Sequence, residues 1–323
     1  MRISPEKLAA EAQATGFRPD VLEKAAHLLG LLDAMRSHPF LQGKLVLKGG
    51  TALNLFVFDV PRLSVDIDLN YVGAEDRDGM LAERPKVEQA IQAVFAREGF
   101  AVRRMPEEHA GGKWSLRYES ALGRSGNLEV DINFMFRVPL WPVVTSDSHS
   151  VGAWRATGIP VLDRHELAAG KLAALLTRRQ ARDLFDSHRI LRTENLDSHR
   201  LRIGFVVYGA MNTKDWRTVS LSDVDFDAMD LARQLVPTLR VNAAEVQAES
   251  AEYGARLVRE CREGLSAVLP FTNSEREFLD LLLDRGVIDP TLLTADKSFQ
   301  RCIQAQPLLK WKALNVRQHK GLS

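Results

Sequence analysis

Cysteine is scarce in this sequence, with two in 323 residues. Cys261 and Cys302 are too few for a disulfide framework and have no metal-ligand spacing, so buried, reduced thiols are expected. Long apolar runs are missing as well: no stretch approaches the roughly 20 continuous apolar residues that a membrane span requires. The opening residues, MRISPEKLAAEAQATG, lack the apolar block of a secretory signal. They read instead as a helix capped by Ser4 with Pro5 in its first position, and residence in the cytoplasm is the matching expectation. A net charge of only +1 argues against a protein that grips nucleic acid with its whole surface. The chain shows no internal repeat and no low-complexity segment.

What is present suits a folded globular protein, with 45% apolar and 26% charged residues. The length accommodates two ordinary domains. Charge is unevenly spread. Lys171, Arg178, Arg179, Arg182 and Arg189 outnumber Asp183 and Asp186 in one stretch, and Lys310, Lys312, Arg317 and Lys320 form a tail without acids. The stretch from Asp223 to Glu252 is acidic.

Hydrophobic periodicity predicts a helix over residues 20–37, with Asp20 and Glu23 at capping-box spacing. A short strand, Leu45 to Lys48, then ends in two glycines, a helix starts at Thr51, and Leu63 to Leu69 is a strand that puts Ser64, Asp66 and Asp68 on one face. A helix over 84–99 is followed by three β-rich runs, FAVRRM, KWSLRYE and NLEVDINFMFRV. This order points to an α+β fold with a mixed sheet rather than a regular βαβα alternation. From His165 the pattern is helical, with stops expected at Gly204, Pro237, Pro270, Pro290 and Pro307. The domains are placed at residues 1–157 and 158–323, divided after a loop rich in proline and serine.

Two aspartates one residue apart on a strand repel each other, and a divalent cation relieves this while keeping both ionised. Hard oxygen ligands with room for water suit Mg²⁺. The bland alternative for Asp66 and Asp68 is the wet face of an edge strand. Gly49, Gly50 and Thr51 stand where a strand turns into a helix, a place where backbone N–H groups hold a phosphate, although such turns are also plain connections. Together, a phosphate cradle and paired carboxylates are what transfer from a nucleoside triphosphate requires. Asp131 is the candidate third acid if its strand pairs beside the Asp66 strand, with Glu129 and Asn133 on the same face. Lys48 and Arg62 flank these elements, either as phosphate contacts or as solvated strand-end charges. Ser64 is assigned to the nucleotide-binding side of the site, where a phosphate added to it would oppose the metal.

The run KGGTALNL, then RLSVDIDL, LEVDI and HELAAGKLAALLTRRQARDLFD, resembles the AbiEii/AbiGii-type nucleotidyltransferase toxins, a branch of the polymerase-β-like superfamily. The resemblance covers roughly residues 45–190 and nothing beyond. It implies a polymerase-β-like nucleotidyltransferase domain with N-terminal helices, followed by a mainly α-helical domain. It further implies that Asp66, Asp68 and Asp131 hold Mg²⁺, and that Lys171 and Asp186 complete the catalytic site, Lys171 also contacting nucleotide. The implied activity is transfer from an NTP to the 3′ end of RNA, with tRNA as acceptor. Such a toxin blocks translation and growth, is held in check by a cognate antitoxin protein, and serves abortive infection as phage defence.

Read on their own, Lys171 and Asp186 lie on successive helices that an antiparallel arrangement would bring together, whether as site residues or as an ordinary ion pair. Asp183 shares a face with Asp186 and is the structural member of the two, with Arg182 spaced to pair with Asp186. Arg178, Arg179 and Arg182 are the expected RNA-binding residues. The five tryptophans form no motif, and His165 and His188 read as caps or solvent-facing residues. Two other functions compete: NTP-dependent modification of a protein hydroxyl by the same site, and a catalytically idle partner-binding module, against which the intact carboxylates speak.

Overall fold

The computed structural model describes residues 2–106, 111–193, 195–241 and 250–321. The fold is α+β, and the chain divides into two compact units that interleave in sequence. The first comprises Met1–Arg137, Val143–Leu162 and Leu235–Ala248; the second comprises Val138–Pro142, Asp163–Gln234 and Glu249–Ser323. A single division at residues 157 and 158 is therefore too simple. Ile159–Val161 is a strand of the first unit's sheet, and the chain returns to that unit at Leu235.

Helix α1 (Pro5–Thr15) starts as its sequence indicates, with the Ser4 hydroxyl accepting from the Lys7 N–H. Helix α2 (Pro19–Arg36) does not, since it begins at Pro19 behind Arg18 with no side-chain cap. Glu23, expected in a capping box, is buried and accepts from the Ser120 hydroxyl and the Ala121 N–H, both at 2.6 Å. A carboxylate buried with two donors is stable where a bare one is not, so Glu23 pins a distant hairpin turn onto α2.

The sheet contains β1 (Leu45–Lys48), β2 (Asp66–Tyr71), β3 (Ala101–Arg104), β4 (Gly111–Glu119), β5 (Ser125–Asn133), β6 (Val144–Ser146) and β7 (Ile159–Val161), in the order β3-β4-β5-β2-β1-β7-β6. It is mixed: β2 runs parallel to β5 and antiparallel to β1. One face carries Leu47, Ile67, Leu69, Trp114, Leu116, Val130 and Ile132, all buried, while alternate positions carry charge. Helix α3 (Gly49–Ala52) follows β1 directly, two residues before its expected start at Thr51. Helix α4 (Arg77–Arg97) begins well before residue 84, because Asp76 caps it through the Gly79 N–H and Pro85 is accommodated inside.

In the second unit, α5 (Arg164–Leu175), α6 (Ala181–Thr193) and α7 (Ser198–Ala210) precede helices at Ser250–Gly264, Asn273–Arg285, Lys297–Ala305 and Pro307–Lys320. Gly204, expected as a stop, lies inside α7. A Cβ there would stand 2.9 Å from the Ala169 Cβ, so this glycine permits close approach of α5 and α7 rather than ending a helix. His165 is buried and not solvent-facing: its Nδ1 lies 2.8 Å from Asp163 and its Nε2 accepts from the Asp197 N–H. His188 is bonded to Glu260 at 2.6 Å. Cys261 is a buried thiol, pushed up to about 12 by burial, whereas Cys302 is half-buried rather than buried and donates to the Pro139 carbonyl at 3.2 Å. Trp114, Trp154 and Trp216 are core residues, whereas Trp311 is exposed. Among the described residues, no helix is long and apolar enough to cross a membrane.

Glu166 on α5 is buried and accepts from the N–H groups of Leu140 and Trp141 and from the Tyr208 hydroxyl on α7. Burial outweighs these donors and pushes its carboxyl up to about 7. The native state then holds more protons than the unfolded chain between about pH 4.5 and about 7, so stability falls as pH rises through that window. Glu166→Gln should remove this slope. Unfolding free energies of wild type and variant from urea titrations, compared across that range, should differ in their change by up to about 3 kcal/mol, and parallel curves would refute the assignment.

Candidate active site

Asp66 and Asp68 alternate on β2 and therefore face one side of the sheet. The parallel register with β5 sets Asp66 beside Glu129 and Asp68 beside Asp131, so the third acid stands next to the pair as expected. The row continues outward. Lys48 on β1 is opposite Asp68, and Lys113 on β4 is opposite Asp131. Lys113, Asp131, Asp68 and Lys48 thus form one lateral row across four strands, spanning about 14 Å at ordinary strand spacing. Two carboxylates in its middle are bracketed by two ammonium groups. The Lys113 ammonium bonds Glu129 at 2.9 Å, and its pKa is raised mainly by that bond, with Asp66 and Asp131 adding to the pull. Lys48 lies over the Phe136 ring, 5.1 Å from its centroid. Lys113 has no part in the site expected from sequence, where KWSLRYE reads only as a β-rich run, because the acid it meets is set by the register of β4 on β5.

The glycine turn is built around Asp68. Gly49 has φ +74°, and a Cβ there would stand 2.3 Å from the Asp68 Oδ2. The positive φ favours glycine, and a side chain at residue 49 would have to displace the Asp68 carboxylate. Asn54 donates to the Gly50 carbonyl at 2.9 Å and braces the turn from the following helical residues. Thr51 is buried, donates to the Asp66 carbonyl, and has its hydroxyl 2.8 Å from that of Ser64. Ser64 lies just before β2 rather than on its face, and it is 5% exposed. These two hydroxyls join turn to strand inside the protein, so any modification of Ser64 has to open that packing.

Arg62 is also not the solvated strand-end charge considered from sequence. It is buried, donates to the Leu63 carbonyl at 3.1 Å, and forms a β-bridge with Leu239. Beside it the Leu63 N–H donates to the Thr238 carbonyl at 2.9 Å. Residues 238 and 239 therefore strap the loop that leads into β2. Val60 in this loop has φ +43°, a strained value for a β-branched residue.

Among the described residues, no three histidine, cysteine, aspartate or glutamate side chains close around a common point. Mg²⁺ does not demand such a cage, because it keeps several waters and binds through one or two carboxylates plus substrate phosphates. Asp66, Asp68 and Asp131 are half-buried on one face, supply oxygen alone, and adjoin a turn whose Cβ space is taken by one of their carboxylates. The residues fit a hard divalent ion.

In the second unit, the Lys171 ammonium on α5 lies 2.8 Å from Asp183 and 3.1 Å from Asp186 on α6. All three side chains are less than one-tenth exposed, so this is a buried ion cluster and not a surface pair. Arg178 joins it through a 2.6 Å bond to Asp183. Burial alone would raise the Asp183 carboxyl, but Lys171 and Arg178 outweigh it and hold it below the usual range. Arg179 pairs with Asp225 at 3.4 Å, and Arg182 is half-buried on α6. The arginines expected to await RNA are in part already held by acids.

A family model described as the nucleotidyl transferase AbiEii toxin of type IV toxin–antitoxin systems matches residues 30–268. The chain belongs to the AbiEii family. It is accordingly a nucleotidyltransferase, and the matched span contains both the carboxylate row and the Lys171 cluster. Among solved structures the chain is similar to MenT4, a nucleotidyltransferase toxin from Mycobacterium tuberculosis H37Rv. The two are 17% identical, with a TM-score of 0.58 over 96% of this chain and 99% of that one, a likeness of fold. No curated protein matches the chain.

For this AbiEii-family chain the buried cluster sets a condition on mutagenesis. Lys171→Met removes the ammonium that pairs with both Asp183 and Asp186 away from water and should cost about 3–5 kcal/mol, whereas Lys171→Met combined with Asp183→Asn and Asp186→Asn should recover most of that loss. Urea unfolding of both variants measures the difference. Equal stability of wild type and Lys171→Met would remove the ion cluster as a structural element.

Proposed function

We propose that this nucleotidyltransferase moves a nucleotide from an NTP to the 3′ hydroxyl of RNA, with tRNA as the acceptor and Mg²⁺ as the metal. On this reading it acts in the cytoplasm, blocks translation and growth during abortive infection by phage, and is restrained by a cognate antitoxin. The observation that carries the proposal is the placement of Asp68 between the glycine turn and Asp131.

Each residue then has a task. The N–H groups at Gly49, Gly50 and Thr51 receive the triphosphate at the start of a helix. Thr51 and Ser64 hold turn and strand together, keeping Asp66 and Asp68 fixed relative to the phosphates. Asp66, Asp68 and Asp131 would hold the metal, and Asp131 also accepts the proton of the attacking hydroxyl. Magnesium bound there supplies neutralising charge to the triphosphate and acidifies the acceptor hydroxyl. The row's lysines offset the carboxylates before substrate arrives. Lys171 and Asp186 are assigned to nucleotide use, and Arg178, Arg179 and Arg182 to acceptor phosphates, with exchange of their present carboxylate partners.

Incubation of the purified protein with labelled NTPs, tRNA, an unrelated structured RNA and a protein mixture tests the reading, and label on tRNA 3′ ends is the expected outcome. Label confined to protein would overturn it in favour of hydroxyl modification of a protein. Asp66→Asn should lower transfer on the order of 10²–10³-fold while melting at or above the wild-type temperature, because crowded like charges are relieved. Gly49→Ala should also abolish transfer, by displacing the Asp68 carboxylate. Wild-type activity in either variant would remove the carboxylates of β2 from the mechanism.

A further inference from the structure

The working face of the sheet extends beyond the carboxylates onto two outer strands, and its charge changes sign there. Lys113, Ser115 and Arg117 alternate on β4 on the side that carries Asp131 on β5. On β3, Arg104 pairs with Ser115 across a bulge and so joins the same face. Arg104, Lys113 and Arg117 are all exposed. Among the described residues on this part of the face, Glu129 is bonded to Lys113, and Glu119 lies at the far end of β4, 3.9 Å from Arg2. A basic strip therefore begins one strand from Asp131 and runs to the sheet edge.

Direction along the row gives the strip a meaning. Nucleotide phosphates are placed at the glycine turn, at the end of β1, and Asp131 lies two strands away with Asp68 between. In-line displacement puts the attacking oxygen opposite the leaving group, so an acceptor reaching Asp131 comes from the β4 side. We infer that the β3–β4 edge is the acceptor track: the phosphates of a single-stranded RNA 3′ end lie over Arg104 and Arg117, with Lys113 nearest the attacking hydroxyl. This rests on the reading of RNA as acceptor. Lys113 exchanges Glu129 for the terminal phosphate, and the two arginines hold the phosphates upstream. The competing account of basic residues on an edge strand is that they block pairing with another sheet, and the two accounts predict different losses.

Full-length protein in Mg²⁺ is titrated into a fluorescein-labelled single-stranded RNA and a labelled tRNA, from about 50 to about 200 mM salt. Arg104→Gln with Arg117→Gln should weaken RNA binding several-fold at low salt and make the slope of log affinity against log salt less negative by roughly 1.4, about 0.7 per phosphate contact. NTP binding by calorimetry should be unchanged. Lys113→Gln should raise the KM for RNA more than it lowers kcat. RNA affinity and slope equal to wild type in the double variant, with or without new self-association, would overturn the track. So would a loss confined to Arg178→Gln with Arg179→Gln. If wild type labels RNA and only the double variant is indifferent, the track alone fails; if wild type labels protein and binds neither RNA, the acceptor reading fails with it.

Discussion

Repulsion between Asp68 and Asp131 is the constraint around which the first unit is organised. Parallel pairing of β2 with β5 sets two carboxylates side by side, and unit charges about 5 Å apart near a protein surface cost on the order of 3 kcal/mol before salt screening. The protein does not set the two acids apart. It brackets the pair with Lys48 and Lys113, packs Asp68 against a residue without a side chain, and locks the strand through Thr51 and Ser64. A sheet optimised for stability alone would place threonine or valine in that row. Keeping the acids is the mark of a working surface.

The second unit handles charge in the opposite way. Lys171, Asp183 and Asp186 are withdrawn from water and joined at ion-pair distance, so that α5 and α6 are held by a cluster that is costly to break. Asp66, Asp68 and Asp131 of the first unit are half-buried, whereas Asp183 and Asp186 of the second are buried at ion-pair distance from Lys171. This difference bears on how an inactive variant at each place should be understood. Loss at Asp66 speaks to chemistry, while loss at Lys171 speaks first to packing.

Legibility followed the range of the interactions. The strand, glycine turn and alternating acids from Leu45 to Leu69 were readable because each rests on neighbours within a few residues. The third acid was readable because an alternating strand can carry it on one face only. Lys113 could not be found this way, since its place in the row is set by the register of β4 on β5. Ser64 and Arg62 were misplaced for a related reason: polar residues beside a reactive strand look exposed in sequence, yet Thr51, Leu63 and Leu239 enclose them. Gly204 read as a stop because its use, close contact with Ala169, is tertiary. Glu23 matched a local capping pattern while serving a turn about a hundred residues away.

The strap formed by Thr238 and Leu239 has a consequence for the order of synthesis. The loop entering β2 is made early, but its closing backbone bonds come from residues translated much later. At the usual pace of synthesis, about 5–20 residues per second, the carboxylate strand of a nascent chain waits many seconds for its final support. A chain built this way carries its own delay, since the strand that bears Asp66 and Asp68 gains this support only after residue 239 has been made.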